Sequence, residues 1–415
     1  MDFKNYLVPG KTGLLIGIGG VSMSPLAEVL HDAGLDIRGS DMAESSNTLT
    51  LREHGIPIHI GHSADNVTDD ISFVIRTAAV HDDNPEVHEA HRRGIPVFER
   101  TQAWGALMRG YQNALCISGT HGKTTTTSMC THIMMAAEKD PTVMIGGTLP
   151  LLKACHRVGK GNTIIMESCE YYNSFLALNP TIAVVLNIEA DHLDFFKDLE
   201  DIKHSFRCFA ERVPAETGTV IANYDDANTM DALRGIARKV ITFGLNAKAD
   251  VYAQNIVHRG SVSEFDIYHR GNYFARVTLH VPGIHNVRNA LAATAAAIVL
   301  GVSPNAVKYG LAGFEGAGRR FDFKGKFQGA DLYDDYAHHP SELRALLDAV
   351  DTLNYQRTIV VFQPHTYSRT AKLFNDFVEQ LRRPTIVYLA EIYAAREKNT
   401  IGISSADLAA QIPGA

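Results

Sequence analysis

Lys123 and the threonines after it stand directly behind a glycine turn, in the stretch Asn113 to Cys130, NALCISGTHGKTTTTSMC. Asn113 to Ser118 is a short apolar run of β-prone residues and reads as a buried strand. Gly119, Thr120, His121 and Gly122 make a tight turn, and Lys123, Thr124 and Thr125 open a helix that runs to about Ala137. Strand, glycine turn and a helix beginning Lys-Thr form a phosphate cradle, because backbone N–H groups and the positive end of the helix dipole face an anion. In such a cradle Lys123 reaches the outer phosphates, and the Thr124 hydroxyl completes the shell of a Mg²⁺ ion. Only two residues separate Gly119 from Gly122, fewer than the usual G-x-x-x-x-G-K-[ST] spacing. An ordinary strand-to-helix turn is the bland alternative, but four consecutive threonines are costly in an arbitrary helix. Nucleotide binding explains them.

Further polar residues fall where strands end. Thr163 to Ser168 and Thr181 to Ile188 are near-continuous apolar runs that suit a parallel sheet covered on both faces. Glu167, Asn187 and the run Glu189 to Asp194, which contains His192, follow those strands. Ligands in open α/β sheets bind beyond the carboxyl ends of the strands, so these residues are expected to converge on the phosphate loop. Glu167 and His192 beside a triphosphate suggest metal ligation, although His192 alone would read as a hydrogen-bonded loop histidine.

The elements that position these groups repeat along the chain. Gly13 to Gly19 is an apolar strand entering a glycine turn, with helical spacing from Val21 to Ala33. Gly17, Gly19 and Gly20 resemble a dinucleotide fingerprint, with Asp41 about twenty residues on and Ser22 where a third glycine is expected. A nucleotide-like phosphate, with NAD as the plain alternative, is the expected ligand of this doubly wound segment. After Gly218 the pattern shifts to short strands that extend the sheet or flank it antiparallel. His285 and Asn289 lie at the entrance of an Ala-rich helix, where caps alone would account for them. Arg319 and Arg320 suit either a solvated hinge or a phosphate contact. Leu332 to Tyr336 and Thr358 to Phe362 end in the polar clusters that carry Asp335, His338 and Arg369. About three strands fit between residue 321 and Ala415, fewer than an open sheet usually has, so outer strands are expected to be missing.

Composition narrows the class. The 415 residues are 45% hydrophobic and 20% charged, ordinary for a globular protein of two to four domains. A net charge of −7 argues against general affinity for nucleic acid or anionic membrane. Five cysteines with no C-x-x-C pair point to a reduced, cytoplasmic setting. No signal-peptide core or membrane-length apolar run is present.

Seven motifs in register resemble the Mur ligase family across essentially the whole chain: GIGGVSMS from Gly17, GTHGKTTTT from Gly119, NIEADHLD from Asn187, GIHNVRNALAA from Gly283, RRFD from Arg319, DDYAHHP from Asp334 and FQPHTYSRT from Phe362. The resemblance implies an α/β fold of three domains. Residues 1–110 form an N-terminal Rossmann-like domain for a UDP-sugar. Residues 111–320 form a central P-loop ATPase domain with a mostly parallel sheet, and 321–415 a Rossmann-like, here incomplete, closing domain. It implies ATP-dependent, ADP-forming ligation of L-alanine to the carboxylate of UDP-N-acetylmuramate through an acyl phosphate, in a monomer or homodimer. By that resemblance Gly119 to Thr125 hold ATP, with Thr124 and Glu167 on one Mg²⁺ and His192 on a second. His285 and Asn289 contact the adenine region, Arg320 the γ-phosphate and Asp335 the ribose. His338 and Arg369 orient the amino acid and the carboxylate, while Gly17, Gly19, Gly20, Ser22, Asp41, His192 and Tyr336 face the sugar nucleotide. Three departures stand out: Thr366 replaces an arginine of some relatives, MESCEYYNSF replaces a more acidic stretch, and the chain ends early. A sibling ligase for a recycled peptide, or a catalytically impaired nucleotide-binding module, are the alternatives.

Overall fold

Short apolar strands alternating with helices dominate the first segment, and they close into one parallel sheet. A computed structural model describes residues 2–77, 79–395 and 397–413. The first segment runs β1 (Thr12–Ile16), α1 (Ser24–Asp32), β2 (Asp36–Asp41), α2 (Ser46–Glu53), β3 (Ile58–Ile60), β4 (Ile71–Arg76), α3 (Pro85–Arg92), β5 (Val97–Glu99) and α4 (Arg100–Met108). The strand order is β3-β2-β1-β4-β5, with every pairing parallel. Order reverses between β1 and β4, and the ligand crevice of a doubly wound sheet lies at such a reversal, here beyond Ile16 and Arg76. The helix expected from Val21 begins at Ser24, because residues 17–23 are used by the turn and Pro25 suits a first helical turn.

The second segment is built on a ten-stranded sheet. Its elements are β6 (Asn113–Ser118), α5 (Lys123–Ala136), β7 (Thr142–Leu149), β8 (Ala154–Arg157), β9 (Thr163–Glu167), β10 (Ile182–Val185), α6 (Leu199–Glu211), β11 (Thr219–Asn223), α7 (Ala227–Ala232), β12 (Lys239–Gly244), β13 (Val251–Arg259), β14 (Val262–His269), β15 (Asn272–Leu279), α8 (Ile284–Val299) and α9 (Pro304–Ala312). The order is β15-β14-β13-β12-β11-β10-β6-β9-β7-β8. Both expectations for the short strands are met: β11, β12 and β13 continue the parallel sheet, and β14 and β15 extend it antiparallel. One face buries the alanines of α8, and the other a phenylalanine cluster of α6. There Phe175 stacks on Phe209, ring centroids 4.5 Å apart, with Phe206 edge-on at 5.3 Å.

The third segment contains β16 (Asp322–Phe327), β17 (Ala330–Asp334), α10 (Pro340–Asp351), β18 (Ile359–Phe362), α11 (Tyr367–Lys372), α12 (Phe374–Leu381), β19 (Ile386–Leu389) and α13 (Ser405–Ala409). It has four strands among the described residues, not three. The sequence DFKGKF of β16 mixes charge and glycine and is mostly exposed, so no apolar period marks it; it pairs as a hairpin with β17. β18 and β19 form a separate parallel pair around a small core with Phe362, Phe377 and Leu381. The tail carries the one short helix expected; residues 414–415 lie outside the described residues.

Phe209→Ala removes a fully buried ring beneath the segment that follows Glu167. A loss of about 3–5 kcal/mol in a urea titration is expected.

Candidate active site

The phosphate loop lies at the reversal of strand order in the central sheet, between β6 and β10. Gly119 and Gly122 have φ of +145° and +85°, and a Cβ on Gly122 would come within 2.7 Å of Asn289 Oδ1. Only glycine lets the loop turn there and approach α8 this closely. Of the four costly threonines, Thr124 turns its hydroxyl to Glu167 and Thr127 bonds back to the helix, while Thr126 Oγ1 is buried without a hydrogen-bond partner among the described residues. Thr127 donates to the Lys123 carbonyl, Ser128 to that of Thr124 and Thr131 to that of Thr127, each at 2.8 Å.

Lys123 folds back over its own loop. Nζ donates to the Gly119 and Thr120 carbonyls and to both Glu170 oxygens, at 3.0 and 3.2 Å. Burial disfavours the ammonium, but the Glu170 charge outweighs it and its pKa is raised. Thr124 Oγ1 donates to Glu167 Oε1 at 3.1 Å, so this hydroxyl and carboxylate, the expected pair of metal ligands, are in contact. His192 does not pair with Glu167. It lies 3.8 Å from both Glu170 and Asp191, in a left-handed backbone conformation, with its ring stacked on Tyr171. Burial lowers its pKa despite the two acids, which favours the neutral, ligating form.

Two cavities flank this loop. The first, about 340 Å³, is lined by His121, Gly122, Thr124, Thr125, His285, Asn289, Arg320 and Asp335. His285 is buried and driven down to about 4, so it is a neutral donor or acceptor there. Asp335 is raised by burial, and it accepts the Phe321 and Ala337 amides at 2.7 and 2.8 Å. The second cavity, about 880 Å³, is lined by residues of all three segments, among them Arg76, Arg100, His192, His365 and Arg369. Thr124 faces the first cavity and Cys169, next to Glu170, the second, so the Lys123–Glu170 pair stands in the wall between them.

The first-segment turn borders the second cavity from behind. Thr77 and Val80, which line the cavity, are the atoms a Cβ on Gly17 would meet. Asp41 is turned inward: it accepts the Gly19 amide at 2.8 Å and so braces the turn instead of lining the cavity. Gly20 packs on the Gly17 carbonyl. Ser22, in the place of a third glycine, accepts from Arg100. Tyr336 is displaced from this group. It lies at the other end of the site, over Arg319 and Arg320, with ring centroids 4.6 and 5.4 Å from the two guanidinium carbons, because it follows β17 in the third segment. His338 stands behind His365, 5.7 Å between rings, and His365 bonds Arg369 at 3.1 Å.

Local patterns did not reveal several groups. Glu170 neutralises Lys123, and Asp191 holds Arg369 at 2.8 Å with both side chains nearly enclosed. Glu342 takes the His121 Nδ1 proton at 3.1 Å, and Ser341 Oγ donates to Glu189 at 2.5 Å. Arg100 is enclosed, which lowers its pKa, and among the described residues no carboxylate lies within ion-pair distance of it. The available hint was acidic residues after strand ends; Lys123 lies 47 residues from Glu170, and the pairs to the third segment span more than 150 residues.

A nucleotide-binding P-loop α/β protein of three segments, with a catalytic mouth shared between them, is the class that this fold and site define. Family models place the chain further: the "Mur ligase family, catalytic domain" matches residues 15–112, the "Mur ligase middle domain" 117–297, and the "Mur ligase, glutamate ligase domain" 319–415. The chain belongs to the Mur ligase family. It is 47% identical to the UDP-N-acetylmuramate–L-alanine ligase of Agathobacter rectalis, over 95% of this chain and 86% of that one. It is similar to the crystal structure of UDP-N-acetylmuramate-alanine ligase from Thermotoga maritima, with TM-score 0.76 and 31% identity over 92% of this chain and 85% of that one. A UDP-N-acetylmuramate:L-alanyl-gamma-D-glutamyl-meso-diaminopimelate ligase from Neisseria meningitides matches at TM-score 0.67 and 26% identity, over 74% of this chain and 99% of that one.

The seam between the second and third segments carries a titratable group. Burial opposes the charged form of His121, but Glu189 and Glu342 outweigh it and raise its pKa to about 9. A pKa above the unfolded value contributes stability that is full below about pH 6.5 and is lost as pH rises through about 9. The difference in melting temperature between wild type and His121→Gln should therefore be largest near pH 6 and shrink towards zero above pH 9.

Proposed function

We propose that this protein joins L-alanine to the carboxylate of UDP-N-acetylmuramate in an ATP-dependent, ADP-forming reaction of peptidoglycan precursor synthesis, in the cytoplasm, as a monomer or homodimer. The observation that carries this reading is the position of Lys123, in the wall between a nucleotide-sized cavity and a larger one shared by three segments. The 47% identity to a ligase of that name, against 26% to the peptide ligase, favours L-alanine over a recycled peptide. The domains are taken as residues 1–110, 111–320 and 321–415.

ATP fits the smaller cavity: Gly122 has no room for a side chain, and the loop amides and Lys123 supply the positive charge that phosphates need. Thr124 with Glu167 would hold one Mg²⁺, and His192 with Glu170 a second. ATP held with Mg²⁺ would supply the γ-phosphoryl group that activates the sugar carboxylate as an acyl phosphate, leaving ADP; the amine of L-alanine would then attack the acyl carbonyl and expel inorganic phosphate. Lys123 and Arg320 offset the repulsion between the carboxylate and the phosphates. Asp191 fixes the Arg369 guanidinium so that it can orient a carboxylate at the mouth of the larger cavity. Arg100, enclosed and without an ion-pair partner among the described residues, suits an anionic oxygen of the sugar nucleotide. The Ser341–Glu189, Glu342–His121 and Arg369–Asp191 contacts hold the third segment over the reaction and keep water from the acyl phosphate.

A phosphate-release panel over amino acids and the tripeptide tests this. Release should need ATP, UDP-N-acetylmuramate and L-alanine together; release driven by the tripeptide, or none with any acceptor, overturns the assignment. Lys123→Ala should cut turnover by orders of magnitude in a folded protein. Glu167→Gln and His192→Ala should each raise the Mg²⁺ concentration needed for half-maximal rate, and superimposable Mg²⁺ titrations would make both residues structural.

A further inference from the structure

Next to the nucleotide cavity, three side chains from three different parts of the chain converge on a point to which the proposed ligation assigns no metal. His121 belongs to the phosphate loop, Glu189 to the loop after β10, and His339 caps the start of α10. One ligand atom from each lies within 4.8 Å of the others. Nε2 of His121 and Nε2 of His339 are both enclosed and have no hydrogen-bond partner. Among the described residues His339 Nε2 faces no partner and His121 Nε2 meets only the Glu189 carboxylate, at 3.5 Å, whereas buried polar atoms are nearly always hydrogen-bonded.

The geometry points to a Zn²⁺-class site made by His121 Nε2, His339 Nε2 and the Glu189 carboxylate, separate from the Mg²⁺ ligands and tying the third segment to the phosphate loop. The outer contacts are of the kind that such sites use. Glu342 accepts from His121 Nδ1 at 3.1 Å, which fixes the tautomer with the lone pair on Nε2, and Ser341 donates to Glu189 at 2.5 Å. Two imidazoles and one carboxylate favour Zn²⁺ over Mg²⁺, and a fourth position faces the nucleotide cavity, which His121 and Glu189 line. A tetrahedral Zn²⁺ holds its donors roughly 3.4 Å apart, so the three atoms need to close by at most roughly 1.4 Å from the 4.8 Å limit. His339 would move its ring proton to Nδ1 and give up the 3.3 Å bond from the Ser341 amide, which is near the limit for a hydrogen bond. Without metal, a proton on His121 stands in for the ion between Glu189 and Glu342, so uptake releases it.

Calorimetric titration of the nucleotide-free full chain with Zn²⁺, in excess Mg²⁺, tests the site. His339→Asn removes the imidazole but keeps a good helix cap, and its melting curve checks that α10 is intact. It should bind one Zn²⁺ fewer than wild type, Glu189→Gln should weaken the same site at least tenfold, and His192→Ala should leave it in place. Equal stoichiometry and affinity in wild type and His339→Asn would overturn the site, as would loss of that ion in His192→Ala instead.

Discussion

A buried lysine ammonium has to be matched by negative charge, and much of the site follows from that constraint. Lys123 lies enclosed between two cavities, and in this structure two loop carbonyls and Glu170 supply the match. An unpaired charge there would be strongly destabilising, so whatever draws Lys123 towards the nucleotide cavity must itself bring anionic oxygens. Phosphates do so. Glu170 would then be freed towards His192, 3.8 Å away, where a divalent cation would balance it. On the proposed reading the one ammonium would couple occupation of the phosphate site to the charge at the mouth of the larger cavity.

The same logic governs the seam with the third segment. Arg369 and Asp191 are each about one-tenth exposed, so their pairing is held in a low dielectric where losing one partner is costly. His121, Glu189, Glu342 and Ser341 make a second set of contacts on the nucleotide side. Both sets run between loops that follow strands β6, β10 and β18 or the start of α10. The third segment is thus tied to the loops of the second by charged and hydrogen-bonded pairs.

Much of this was legible in the sequence where the signal was local. The strand Asn113–Ser118 and the helix from Lys123 appear where glycine, lysine and threonine place them, since apolar runs and helix starts depend on neighbouring residues. The convergence of Asn187 and Glu189 on the loop also followed, because strand ends at a topological reversal meet there, whereas His192 lies beside Glu170 and Asp191 instead. Glu170 was passed over because ESCEYYN has no period, and its partner is fixed by a turn with Tyr172 and Asn173 at positive φ. β16 has no apolar face to read. Spacing and motif put Asp41 and Tyr336 on a ligand. The structure turns Asp41 back to Gly19 and sets Tyr336 over two arginines, contacts that only tertiary packing decides.

The arrangement stands or falls on which cavity takes which substrate. A crystal structure with a non-hydrolysable ATP analogue and UDP-N-acetylmuramate reads this directly. The nucleotide should fill the cavity lined by His285, Asn289 and Asp335, with its terminal phosphate on Lys123 and the sugar carboxylate reaching it from the side of Arg369 and His192. A nucleotide base seated in the larger cavity, or a Lys123 still held by Glu170 with both ligands bound, would contradict it.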